Sequence, residues 1–183
     1  MIPLTTLWLP IVLSTVAVFI ASNVMWMALP FWHRRDYGKL PDAKPILDGL
    51  ADVPSGQYLA PHVNWSKLPP EEREAMMRRP MVFLLVRNPA KFSFPSALVS
   101  YIIYTLGMTI LIAYVAAASL PVGVPYLKVF QIVGTTGILA YSFGSVSDSI
   151  WYGKPWAVTV KSIIDGIIYG LLTAGFFGWL WPR

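Results

Sequence analysis

Residues 157–181 read AVTVKSIIDGIIYGLLTAGFFGWLW, with one lysine and one aspartate, both near the start. About 20 apolar residues, rising 1.5 Å each, cross the hydrocarbon core of a bilayer. This stretch therefore reads as a membrane span, and residues 7–29, 96–120 and 128–147 read the same way. Prolines 30, 95, 121, 125, 155 and 182 punctuate the ends, and Pro10 falls in the first turn of its span, where a missing N–H costs little. The whole chain agrees. Of its 183 residues, 56% are hydrophobic and only 13% charged, with mean hydropathy +0.58. Soluble domains are about half apolar and a quarter charged. The expectation is an all-α membrane protein: a four-helix transmembrane bundle with a small structured cytoplasmic α+β loop. The first helix lies in 1–30, the loop in 31–95, and the other three spans in 96–183.

Zero cysteines exclude disulfides, thiolate metal sites and cysteine nucleophiles, and two histidines make a polyhistidine metal centre implausible. The net charge of +5 is not the footprint of a nucleic-acid binder, because its placement follows membrane orientation. Ten of the fourteen Lys and Arg fall in 30–95, none precedes them, and Lys154 and Lys161 follow the third span. The positive-inside rule then puts the 31–95 loop in the cytoplasm and both termini outside, with Lys128 and Arg183 dissenting. The first six residues lack Lys and Arg and the apolar run is long, so the first span reads as a retained anchor rather than a signal peptide.

Within the loop, Asp42 is placed to cap a short helix reaching about Asp52. Pro54-Ser55-Gly56 turns into an extended run at 57–60. Pro69-Pro70-Glu71-Glu72 opens a second helix that ends at Arg78-Arg79, matching the helix dipole. The run 81–86 is β-like; it is expected either to pair with 57–63 as a small hairpin with Pro61 at an edge or to lie half-buried in the membrane surface.

Three sets of residues carry the candidate sites. Gly166, Gly170, Ala174 and Gly178 recur every four residues, as do Thr105, Thr109, Ala113 and Ala117. Such small-residue stripes let helices approach closely, and the two stripes are expected to partner each other or another chain. The opposing face, with Ile163, Ile167, Leu171, Phe176 and Phe177, is expected to meet lipid or a partner. Asp165 is the one ionisable residue well inside a span, with Lys161 one turn earlier, and span lengths bring Asp148 to the same depth. Asp148, Lys161 and Asp165 are expected to form an ion cluster at the cytoplasmic boundary. A proton or cation path is the competing use, with Gln131, Thr135 and Thr136 as its only further relays. His33, Arg34 and Arg35, just below the first span, form an inside anchor able to contact a lipid headgroup or other anion. Trp8, Trp26, Trp32, Trp151, Trp156, Trp179 and Trp181 are expected as interfacial anchors, a minority of them stacking on a lipid, quinone or pigment.

The stretch Trp151-Tyr152-Gly153-Lys154-Pro155-Trp156, with Lys161 and the run from Asp165 to Pro182, carries a resemblance that extends to His33-Arg34-Arg35-Asp36-Tyr37, Leu40-Pro41 and residues 126–131. The chain resembles a family of uncharacterised bacterial four-span integral membrane proteins. The resemblance implies a bacterial inner-membrane protein of the same topology and supplies no catalytic residues.

No phosphate loop, catalytic carboxylate pair or Ser-His-Asp set occurs. The first expectation is therefore a non-catalytic accessory or structural subunit of a larger bacterial membrane complex, respiratory or photosynthetic. It requires no cofactor or metal and has the bilayer and other membrane subunits as partners. A small ion or solute transporter or channel is the alternative, and a lipid- or quinone-binding membrane enzyme the third.

Overall fold

The computed structural model describes residues 2–183, the Lys91 side chain excepted. Four helical segments are long and apolar enough to cross a membrane: Leu4–Ala28, Phe94–Ser119, Tyr126–Tyr152 and Trp156–Trp179, of 25, 26, 27 and 24 residues. The first is built from α1 (Trp8–Asn23) between a 3-10 turn at Leu4–Leu7 and a wider π turn at Val24–Ala28. A one-turn α2 (Pro30–His33) follows it. The second is α5 (Phe94–Ser119). The third joins α6 (Tyr126–Ser142) through a 3-10 turn to α7 (Val146–Tyr152), and the fourth is α8 (Trp156–Trp179). Gly153, at φ 70°, closes α7 by donating its N–H to the Asp148 carbonyl, a left-handed cap that glycine adopts without strain.

These helices alternate in direction. Ile2 N donates to the Ala117 carbonyl, Gly123 N to that of Pro182 and Trp181 Nε1 to that of Pro121, which gathers three chain segments at one end. Residues 29–36 and the start of α8 meet at the other end. Around the bundle, α1 packs on α5 and α8, and α6 packs on the same two, so α5 and α8 are diagonal. That corrects one expectation: the two small-residue stripes are not partners. Thr105, Thr109, Ala113 and Ala117 are buried, but on the side that meets α1 and α6, where Thr109 Oγ1 lies 3.3 Å from the Tyr141 hydroxyl. The stripe of α8 faces α6.

The α6–α8 contact is the closest in the molecule. A Cβ on Gly170 would stand 2.7 Å from Ile138 N, and one on Gly137 would stand 2.9 Å from Gly170 Cα. On Gly166 it would meet Ser142 Oγ at 2.2 Å, and on Gly178 the Tyr126 ring at 2.6 Å. Backbones this near exclude any side chain and gain dispersion contacts along the whole seam. Phe177 corrects a second expectation. Its ring is fully buried in the core with Leu7, Ile112, Val129 and Val133, while Leu171 lies on the outer face. Outward faces remain apolar, with Val12, Val16, Ile20, Ile103 and Leu111 all exposed.

Residues 39–93 form a separate compact unit, and 31–38, expected with the loop, group with the long helices. In this unit β1 (Gly56–Ala60) pairs antiparallel with β2 (Val82–Val86), Gly56 opposite Val86 and Ala60 opposite Val82. The expected hairpin pairing is present, and Pro61 falls just past the strand, where its missing N–H breaks no ladder bond. The helix expected at 42–52 is shorter: α3 spans Lys44–Gly49, its N-cap is Ala43, and Asp42 makes no cap. Pro45 sets the start, since its fixed φ suits a first turn. Pro69 and Pro70 set that of α4 (Pro70–Met77), and Arg78 caps its end with its guanidinium on Glu74 at 2.6 Å.

The glycine seam gives a paired test. Gly170→Ala should lower stability in detergent by at least about 2 kcal/mol, because the backbone of α6 must move away. Gly175→Ala, with nothing within 4 Å of the added methyl, should be neutral or stabilising by roughly 0.5–1 kcal/mol. Equal losses at the two positions would refute the close approach.

Candidate functional site

Asp165 is placed by the first turns of α8 on the face turned toward α1, and it is only 3% exposed. An ionised carboxylate so far from water needs partners for both oxygens. The chain just after the first long segment supplies them. The π turn at Val24–Ala28, closed by Leu29 N on the Val24 carbonyl, hands the chain to Pro30, which starts α2. That turn brings Trp32 and His33 back over the bundle end. Trp32 Nε1 donates to Asp165 Oδ1 at 2.7 Å, and His33 Nε2 meets Asp165 Oδ2 at 2.7 Å. His33, 4% exposed, is sandwiched further by the Trp26 indole, stacked at 3.9 Å between centroids and 11° between planes.

The chain of contacts continues outward. His33 Nδ1 lies 2.6 Å from Asp36 Oδ2, and the second Asp36 oxygen accepts from Lys161 Nζ at 2.5 Å. Lys161 also donates to the Trp32 carbonyl at 2.6 Å, so one ammonium ties α8 to both ends of the 32–36 turn. The sequence is thus Lys161, Asp36, His33, Asp165, Trp32, every link a hydrogen bond. A neutral imidazole has one N–H, yet both of its nitrogens face carboxylates that only accept when ionised. Both ring nitrogens are thus committed to carboxylates, which fixes the plane of the imidazole.

Asp36 lies outside the four long segments, and its side chain is 4% exposed. Burial pushes its pKa up, but the hydrogen bonds from Lys161 and His33 and their charges outweigh this and hold it below the usual carboxylate value.

The expected trio of Asp148, Lys161 and Asp165 is not assembled. Lys161 pairs with Asp36 rather than with Asp165, although the two share a face of α8. Among the described residues Asp148 makes no ion pair, and its carbonyl instead accepts from Gly153 and Lys154. Of the expected anion contacts, Arg34 and Arg35 are exposed, but His33 is buried and fully engaged, so it is no headgroup ligand. Among the tryptophans, Trp8, Trp151, Trp156 and Trp179 are exposed on the outside of the helical unit. Trp181 is not: it is 5% exposed and hydrogen-bonded to the α5–α6 turn, so it is core. Trp32 is a cluster member, and Trp26 has one ring face on His33. Asp36 and Trp32 were missed as partners of α8. The available signal was the His33-x-x-Asp36 spacing, which puts both on one face of a turn.

Gln131 and Thr135 lie on the exposed face of α6, and the Thr136 hydroxyl bonds its own helix at the Ile132 carbonyl. No polar relay continues through them. No family model, curated protein or solved structure matches the chain.

The lowered pKa of Asp36 fixes a pH dependence. A carboxyl held below its unfolded value adds stability that is complete above about pH 4 and is lost as pH falls through the folded value. Unfolding scans in detergent should therefore show a loss below about pH 4 that Asp36→Asn abolishes. At neutral pH Asp36→Asn should cost roughly 3 kcal/mol, since it strands the lysine. An unchanged acid limb in the mutant would contradict the pairing.

Proposed function

We propose that the chain is a multi-pass protein of a bacterial cytoplasmic membrane, its 31–95 loop inside and its termini outside. In it the chain serves as a non-catalytic accessory subunit of a larger membrane complex, respiratory or photosynthetic. Four helices of spanning length with apolar outward faces support the membrane setting. Ten Lys and Arg in 30–95 support the orientation, and the resemblance to bacterial four-span proteins points the same way.

The observation that carries the subunit reading is the closure of the ion cluster. Both oxygens of Asp36 and Asp165 and both nitrogens of His33 are engaged within the chain. Groups so committed fix helix positions; they are poorly placed to attack or release a substrate. A bundle held at one end by a closed hydrogen-bonded cluster and along one side by a glycine seam is suited to packing against other spans.

A transport reading has one observation in its favour: the cluster is a continuous hydrogen-bonded line from Asp165 to Lys161, a geometry that can pass protons. The experiment that separates the two is purification in mild detergent, followed by sizing, mass spectrometry and reconstitution. The subunit reading expects fixed-stoichiometry membrane partners and no proton flux in proteoliposomes of the chain alone. A chain that purifies alone and carries a sustained flux lost in Asp165→Asn would establish transport instead.

A further inference from the structure

A cavity of about 550 Å³ opens on the side of the helical unit, lined by residues of α1, the π turn, α5, α6 and α8. Trp26, Tyr101, Tyr104 and Tyr141 form its aromatic walls, and Asp165 and Tyr169 lie toward the ion cluster. Its volume is that of a small-molecule site, and mostly apolar walls with a few converging polar groups are the usual make-up of one. Tyr101 and Tyr104 lie 5.9 Å apart between centroids, and Tyr141 and Tyr169 meet edge to face at 5.9 Å.

Tyr169 is the anomaly. Only 6% exposed, it has a hydroxyl with no hydrogen-bond partner among the described residues. Buried hydroxyls are nearly always paired, and because Tyr169 lines the cavity, a group that enters there and displaces the rings around it is the available partner for this one. We propose that this cavity binds a neutral, ring-bearing amphipath of the quinone class, with a head-group carbonyl accepting from the Tyr169 hydroxyl and its chain leaving through the lateral opening. The proposal rests on the membrane reading, which supplies the bilayer as the source of such a ligand.

Charge and shape narrow the class. Among the described residues no lysine, arginine or histidine lines the cavity, so a phosphate or fatty-acid carboxylate would meet no counter-charge from them. Asp165 is the lining carboxylate, and both of its oxygens are already taken by Trp32 and His33, which leaves it little to offer a cationic head. Aromatic walls do attract quaternary ammonium groups. Such a head, however, has no lone pair and would leave Tyr169 unpaired. A flat carbonyl-bearing ring satisfies both the hydroxyl and the aromatic walls, which favour offset or edge-on ring contacts.

The test is a titration of the purified chain in mild detergent with a decyl-substituted benzoquinone, followed by tryptophan fluorescence, since Trp26 lines the site. Matched-length fatty acid and trimethylammonium amphipaths are run beside it. The expected result is saturable quenching by the quinone alone. Tyr169→Phe should weaken it about tenfold, the worth of one hydrogen bond to a neutral acceptor, without lowering the Tm of the free protein. Leu98→Trp, which fills the cavity from α5, should abolish it. Quenching that never saturates, equal binding of the three amphipaths, or wild-type affinity in Tyr169→Phe would overturn the proposal. So would a lower Tm in that variant, because the hydroxyl would then have an internal partner. Using the isolated chain keeps this result independent of whether a larger complex is found.

Discussion

A carboxylate removed from water must be met by donors, and Asp165 imposes that condition on everything around it. Donors from α8 alone do not meet it: Lys161, one turn earlier on the same face, reaches outward to Asp36. The nearest remaining donors come from the far end of the first long segment. The chain must therefore turn back after Ala28, and the π turn followed by Pro30 is how it does so. Once Trp32 and His33 are seated on Asp165, Asp36 follows three residues later and needs a cation, which Lys161 provides. The cluster thus specifies how α1 lies against α8, a contact that apolar packing alone leaves free to slide.

The second constraint is steric. Along α6 and α8 the backbones approach until Gly137 and Gly170 touch, which fixes the depth of one helix against the other. The seam and the ion cluster lie on different sides of α8, one toward α6 and one toward α1. Between them they hold α8 in rotation and in translation. The lateral cavity is a consequence of the same arrangement: α1 and α5 meet α6 and α8 tightly in the half of the bundle that holds Leu7, Ile112 and Phe177. Near the cluster, large aromatic rings replace small residues, and a space remains.

The long helices were legible because their lengths are dictated by apolar runs and prolines, and the two paired strands because turn residues bound each β-like run. The α8 stripe was legible as a close-packing face. Its partner was not, since four-residue spacing names a face and never the neighbour opposite it; Thr105 to Ala117 has the same spacing and packs elsewhere. Asp165 and Lys161 could be singled out by depth. Their partners His33 and Asp36 lie 132 and 125 residues away in sequence; the His33-x-x-Asp36 spacing marks the two as one face of a turn but does not say which helix that face meets. The charges of Arg34 and Arg35 drew that motif toward an anion reading, while the buried member of it is His33. Trp181 was misplaced because a terminal tryptophan beside a span looks interfacial until a carbonyl such as that of Pro121 is within reach of its N–H.

The link between His33 and Asp165 can be measured directly by a double-mutant cycle, with His33→Gln and Asp165→Asn unfolded singly and together in detergent. If the two side chains clamp α1 to α8, each single change leaves the other group stranded, and the coupling energy should exceed about 1 kcal/mol. Losses that simply add, within a few tenths of a kcal/mol, would contradict the clamp.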